Sequence, residues 1–386
     1  MIRQTLIFSA LLCLACSAAR ADSLFSIDDP KGDDHGSGAL LYPNRDDMQP
    51  GDLDLVQLSA EQRSDGIWFI VEMTQAVRSP AGRVTELGQT PLERIVRNGF
   101  YTFNVDIYID TDRIAGSGQK ETVPGRGVTV ARDYAWEKAI VLTPRPDIAR
   151  TMMQLHFDAA FEAELRAKQG RVSKAELGDL QERSEARVGD FYFFPNKVRV
   201  TGRRIEFQVP EEFLGGVPSQ GWAYTAIVTG ADIEQSGRPG QILPVRQNIM
   251  TMGVARGMSA ASFGIRGDAD AGTPPVVDIL SPDDEVQGRV LEDFDTVAAR
   301  LPAVPGVAPD GKVAVAATGV PLTLEQAARI DTTTGSDVGS APSDVPATTE
   351  KRTVPARLRT LNQLLEDGLI TEAEFNELRR KILAEL

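Results

Sequence analysis

Ten consecutive residues near the start of the chain, Asp29-Pro30-Lys31-Gly32-Asp33-Asp34-His35-Gly36-Ser37-Gly38, combine carboxylates with backbone freedom in a way that suits neither helix nor strand. The glycines permit positive φ, so a tight loop can gather Asp29, Asp33 and Asp34 into a small volume. Two chemistries are open to such a loop. Its oxygens can hold a hard cation, calcium above all. Asp110 and Asp112, at the end of the strongest predicted strand, would then complete the roughly six to eight oxygens that calcium takes. Alternatively, the carboxylates cap turns by accepting from backbone N–H groups. The spacing does not match the helix–loop–helix calcium site.

A second chemistry is sugar recognition, in which a flat aromatic ring meets the apolar face of a pyranose. The chain has three tryptophans. Trp136, beside Tyr134, and Trp222, beside Tyr224, stand at predicted strand edges and can form a platform. The alternative for all four rings is ordinary core packing. Exposure of Trp136 and Trp222 on one face supports sugar binding, whereas burial favours a scaffold that contacts protein. Trp68 lies inside the apolar run Ile67-Trp68-Phe69-Ile70-Val71 and is assigned to the core. Catalytic signals are missing: the sequence has no Gly-x-Ser-x-Gly elbow, no His-Glu-x-x-His helix and no phosphate-cradling loop. No haem is expected, because His35 and His156, the only histidines, neither pair with Met48, Met73 or Met153 by any evident pattern nor face an evident pocket.

Composition bounds the setting. Arg3, the apolar stretch Leu6 to Cys16 and Ala19-Arg20-Ala21 read as a signal peptide over residues 1–21, with Asp22 as the first mature residue. Lipidation at Cys16 is the alternative form of export. Both cysteines, Cys13 and Cys16, fall in that leader, so the mature chain has no disulfide and no Cys-ligated metal. Loss of Arg3 and Arg20 takes the formal charge from −14 to −16, which opposes nucleic acid and anionic lipid. No later segment is apolar enough to cross a membrane, so a periplasmic or secreted protein is expected.

These residues need a frame. Tyr101 to Asp110 alternates, with Phe103, Val105, Ile107 and Ile109 on one side and Thr102, Asn104, Asp106, Tyr108 and Asp110 on the other. Shorter predicted strands lie at Ile67–Val71, Ala139–Leu142, Lys197–Val200, Arg204–Val209 and Ala223–Thr229. Many short strands separated by Gly, Pro and Asp from about Gly51 to Val228 predict an all-β antiparallel sandwich, within a domain taken as residues 22–300. Residues 147–187 interrupt it as a polar helical insertion, with Ser173 and Glu176 spaced as a capping box. Residues 301–355, rich in Pro, Ala, Thr and Gly, predict a disordered linker. Residues 356–386 predict two short helices: Leu358, Leu361, Leu364 and Leu365 stripe the first, and Thr371 with Glu374 caps the second.

The ordered set Asp29-Pro30-x-Gly32-Asp33-Asp34-x-Gly36-x-Gly38, Tyr42-Pro43, Gly51 and Asp54-Leu55 resembles the opening of the glucodextranase C-terminal binding-module family. The likeness continues through Ile107 to Asp112, Pro124-Gly125-Arg126-Gly127, Ala135-Trp136-Glu137-Lys138-Ala139, Gly221-Trp222-Ala223-Tyr224, Phe263-Gly264, Pro275 to Leu280 and Gln287. The resemblance implies a DOMON-like β-sandwich, similar in architecture to family-nine carbohydrate-binding modules, over about 24–300. Leu364 to Phe375 resembles the SHOCT helical hairpin, which implies self-association or capture of a protein partner. Together these readings describe an exported, non-catalytic module that binds a glycan or other envelope component. The rival is a periplasmic assembly protein whose sandwich contacts protein.

Overall fold

The computed structural model describes residues 21–85, 89–234, 248–257, 259–267, 272–281 and 284–312. The predicted leader, most of the predicted linker and the predicted C-terminal hairpin lie outside these residues. The strands of the first part are β1 (Asp22–Asp28), β2 (Leu40–Leu41), β3 (Leu55–Arg63), β4 (Gly66–Met73), β5 (Phe103–Asp110), β6 (Thr129–Val130) and β7 (Lys138–Leu142). Those that follow are β8 (Tyr192–Phe193), β9 (Val198–Thr201), β10 (Arg204–Val209), β11 (Ala223–Gly230), β12 (Gly264–Ile265), β13 (Val276–Ile279) and β14 (Ala303–Val304). Four helices join them: α1 (Pro146–Gln169), α2 (Lys174–Phe191), α3 (Glu211–Leu214) and α4 (Asp284–Leu291).

Two five-stranded sheets result, ordered β1-β3-β4-β10-β9 and β13-β11-β5-β7-β8. Every neighbour pair is antiparallel except β7 with β8. The alternation explains the packing between them. Phe25 and Ile27, Leu58 and Ala60, Ile67, Phe69 and Val71, and Ile205 and Phe207 face inward from the first sheet. They meet Phe103, Val105, Ile107 and Ile109 with Ala226 and Val228 from the second, all buried in one core. The expected antiparallel β-sandwich is therefore the observed fold.

The second sheet is covered on its far side too, and every residue of β5 and β11 is buried. The cover comes from the helical insertion and from the segments around β6, α4 and β14. Pro146 opens α1 where its missing N–H costs nothing, and Gly170 ends it at φ 77°. Ser173 and Glu176 form the predicted capping box, with the Glu176 carboxylate 2.8 Å from the Ser173 N–H. The insertion runs over 146–191 rather than 147–187, and it is more than a surface decoration. Ala149, Met152, Met153 and Val188 pack with Trp136, Val141 and Tyr192 into a second core.

A further correction concerns the predicted boundary at residue 300. Leu301–Lys312 belongs to the fold: β14 pairs in parallel with β6, and Val307 bridges Tyr224 with no exposed surface. Val304 and Val307, spaced between prolines, supply apolar surface that composition alone reads as linker. The first sheet, by contrast, alternates buried and polar residues, leaving Glu61, Trp68, Glu72, Arg199 and Arg204 on its outer face.

Candidate functional site

The acidic loop after β1 folds against the edge strand β13. Gly36, at φ +61°, donates its N–H to Val277 O at 2.8 Å, and a Cβ there would lie 2.8 Å from Val276 O. No other residue type fits that approach without displacement. Gln287 of α4 clasps the same loop from beneath: its Nε2 donates to the carbonyls of Asp33 and Gly36, while its Oε1 accepts from Ile279 N–H. The loop is thereby pressed onto the strand that carries Asp278.

Carboxylate oxygens of Asp29, Asp33 and Asp278 lie within 4.8 Å of one another, and all three residues are buried. Asp29 Oδ1 accepts from Ser281 N–H at 2.6 Å, and Asp278 Oδ2 accepts from Leu55 N–H at 2.7 Å. Asp54 Oδ2 accepts from Gly32 N–H at 2.8 Å. The remaining oxygens of these three side chains, Asp29 Oδ2, Asp278 Oδ1 and Asp54 Oδ1, have no hydrogen-bond partner. Burial pushes the Asp29 carboxyl up to about 9, with Asp33 and Asp54 adding repulsion against the Ser281 hydrogen bond. Burial likewise raises Asp278 well above the usual carboxylate range, reinforced by Asp29 and Asp33. Asp34 stands apart, since its Oδ2 accepts from Tyr42 Oη–H and from Gly51 N–H.

Asp110 and Asp112 do not join that group. Along the sheet, Asp278 lies opposite Val228, which lies opposite Val105, five positions before Asp110. That offset is roughly 17 Å along the strand, so a single shell from all five expected aspartates is ruled out. Asp110 and Asp112 meet Glu137 instead. There the turn-capping alternative holds: Asp110 accepts from Arg113 N–H at 2.6 Å, Asp112 from Ile114 N–H at 2.7 Å and Glu137 from Thr111 N–H at 2.8 Å.

The expected aromatic platform is also overturned. Trp136 has no exposed surface; it packs 5.3 Å from both Tyr108 and Tyr192, and its Nε1 donates to Glu121 O. Tyr224 stacks on Phe25 at 4.2 Å inside the sandwich. Tyr134 is covered by Gly306, and Trp222, 8 % exposed, belongs to the first core. The cover on the far side of the second sheet buries Trp136 and Tyr134, while Trp222 and Tyr224 fill the core between the two sheets. Trp68, assigned to the core by its apolar run, is instead the partly exposed tryptophan. It sits on the open face of the first sheet between Glu61 and Gln208, with the Arg63 and Arg199 guanidiniums 4.7 and 5.7 Å from its ring centroid. Beside it, Arg63, Arg199 and Arg204 converge on Glu206; burial pushes its carboxyl up, but Arg63 and Arg204 outweigh that and hold it below its usual range.

The described residues form a two-sheet sandwich with one open outer face and a clasped acidic loop. Residues 24–305, more than two thirds of the chain, match the family described as the C-terminal binding module, SLH-like, of glucodextranase, and the chain belongs to that family. Residues 356–383 match the short C-terminal domain, SHOCT. No curated protein matches the chain. Among the described residues no helix is long and apolar enough to cross a membrane.

Asp54, Asp278 and Trp68 are the candidate residues that sequence reading missed. A lone carboxylate inside the buried run Val276-Val277-Asp278-Ile279 is a signal available in the sequence, because an apolar strand carries an aspartate at a cost. Trp68 gives no comparable signal.

Proposed function

We propose that this chain is an exported, non-catalytic module that recognises a polysaccharide of the cell envelope on the open face of its first sheet. Membership of the glucodextranase binding-module family over 24–305 is the observation that carries this reading. The surface is assigned to Trp68, which offers a ring at the sheet surface. Arg63, Arg199, Gln208 and Asp65 around it supply planar donors and acceptors for sugar hydroxyls. The SHOCT-like tail then brings copies together, so weak single contacts add through avidity.

A second reading keeps a specific observation in its favour. The burial of Trp136 and Trp222 points to a sandwich that contacts protein, with the tail recruiting the partner. The two readings separate in one experiment: tryptophan fluorescence of the full chain titrated with a panel of polysaccharides and oligosaccharides. Glycan recognition predicts a saturable change that Trp68→Ala abolishes while the melting temperature holds. Silence across the panel from folded protein, or binding that survives Trp68→Ala, refutes the glycan reading at this face.

A further inference from the structure

Four of the buried carboxylates in the described part of this protein lie against arginine. Asp106 faces Arg126 at 2.6 Å, Asp52 faces Arg78 at 3.0 Å, Asp47 pairs with Arg45, and Asp110 lies 3.4 Å from Arg113. Asp29 and Asp278, which meet Asp33, differ from these four. The charged neighbours that act on Asp29 and Asp278 are acidic, and Asp278 has no exposed surface and an unpartnered Oδ1. Buried like charges at this separation repel strongly, so the group must hold either protons or a cation that displaces them.

We propose that Asp29, Asp33 and Asp278, with Asp54 beside them, bind a divalent cation, calcium by the chemistry of the donors, which locks the loop after β1 onto β13. The free oxygens Asp29 Oδ2, Asp278 Oδ1 and Asp54 Oδ1 are hard donors, and a ligand set made of carboxylates from two loop segments and one strand suits the variable coordination of calcium better than the strict octahedron of magnesium. A pocket of about 520 Å³ opens beside the loop and is lined by Lys31, His35, Tyr42, Asp54, Thr74 and Arg266, and Asp54 acts electrostatically on both Asp29 and Asp278. The cation joins segments far apart in sequence: Asp29 already accepts from Ser281, 252 positions away. The site is independent of the glycan reading, since Trp68 lies on the outer face of the other sheet.

The test is thermal unfolding of the full chain at neutral pH, in chelator and then with calcium or magnesium alone as probe. Ligand at about a hundredfold over its dissociation constant raises the melting temperature by roughly 5–10 °C in a domain of this size. The expected result is a saturable rise with calcium, smaller with magnesium, that is lost in Asp278→Asn and in Asp33→Asn and kept in Asp112→Asn. Asparagine preserves shape and a hydrogen-bond acceptor, and two separate substitutions guard against one failing to fold. A melting temperature indifferent to chelator and calcium overturns the site. So does a calcium shift that survives both substitutions, or one lost equally in Asp112→Asn.

Discussion

Removing the Arg126 side chain tests how the far side of the second sheet is held. Arg126 is 1 % exposed, and its fork is fully used. Nε and Nη2 donate to the two oxygens of Asp106 at 2.6 and 3.0 Å, while Nη1 donates to Ile249 O at 2.8 Å and to Thr251 Oγ1. In Arg126→Ala, Asp106 remains fully buried with only the Tyr108 hydroxyl, at 3.2 Å, to satisfy it. Breaking a buried pair from one side costs about 3–5 kcal/mol, because an uncompensated charge is left behind. Ile249 O loses the closer of its two donors and keeps the Thr251 hydroxyl at 3.3 Å, and Thr251 Oγ1 loses Arg126 as well, which places the expected loss at the upper end. At roughly 2–4 °C per kcal/mol for domains of comparable size, the melting temperature falls on the order of 10–15 °C. Urea unfolding gives the free energy directly. The origin of the loss is checked by adding Asp106→Asn to Arg126→Ala, since neutralising the stranded carboxylate should recover part of the stability. A loss below about 1 kcal/mol in the single variant, or a double variant no more stable than Arg126→Ala, refutes the argument.

Two further outcomes follow from the same geometry. Burial pushes Asp110 up to about 7, with the Arg113 N–H opposing and Glu137 adding to the rise. The folded protein therefore holds a proton that the unfolded chain, at 3.8, releases. Stability falls as pH rises from about 4 to about 7, by no more than about 1.4 kcal/mol per pH unit from this group. Asp110→Asn should flatten that part of a urea-midpoint profile, and an unchanged slope contradicts the assignment. Trp136→Ala should cost about 3–5 kcal/mol as a large core truncation, and Trp68→Ala less than about 1 kcal/mol as a surface change. The reverse ranking in chemical denaturation would show that the two tryptophans have been placed on the wrong sides of the fold.

The strands were legible where period and burial agree. Phe103, Val105, Ile107 and Ile109 project into the core between the sheets, and the capping box at Ser173 starts α2 as its spacing requires. Errors arose where a residue's environment is built by distant chain. Asn104, Asp106 and Tyr108 lie on the polar side of β5, which reads as solvent-facing. They are buried because the insertion and the loops around Arg126 and Met250 cover that side and supply their hydrogen bonds. Trp68 reads as core from its neighbours Ile67, Phe69 and Ile70, but period two places it with Ile70 on the outer face. Ile70 is buried there, while Trp68 keeps part of its surface. At the acidic loop, Asp29 and Asp33 were recognisable from type and spacing. Asp278 was not, because it arrives with β13 from the other end of the domain.

The residues that make the family recognisable are therefore concentrated where the domain is fastened. Asp29, Asp33, Gly36, Asp54, Asp278 and Gln287 meet around one loop, joined by hydrogen bonds that span most of the domain. Trp136 and Tyr224, also in the recognisable set, fill the two cores. A fingerprint made of a clasp and core rings reports that the sandwich closes, and it says little about what the sandwich holds. The open face around Trp68 uses none of these positions. On the proposed reading, ligand preference changes there, through Trp68, Arg63, Arg199 and Gln208, while the clasp and the fold stay fixed. That separation predicts independent effects: substitutions at Asp278 should move stability and leave glycan titrations of the folded protein unchanged, and substitutions at Trp68 should do the opposite. A loss of glycan binding in a folded, calcium-insensitive Asp278→Asn protein would show that the clasp and the ligand surface are one site.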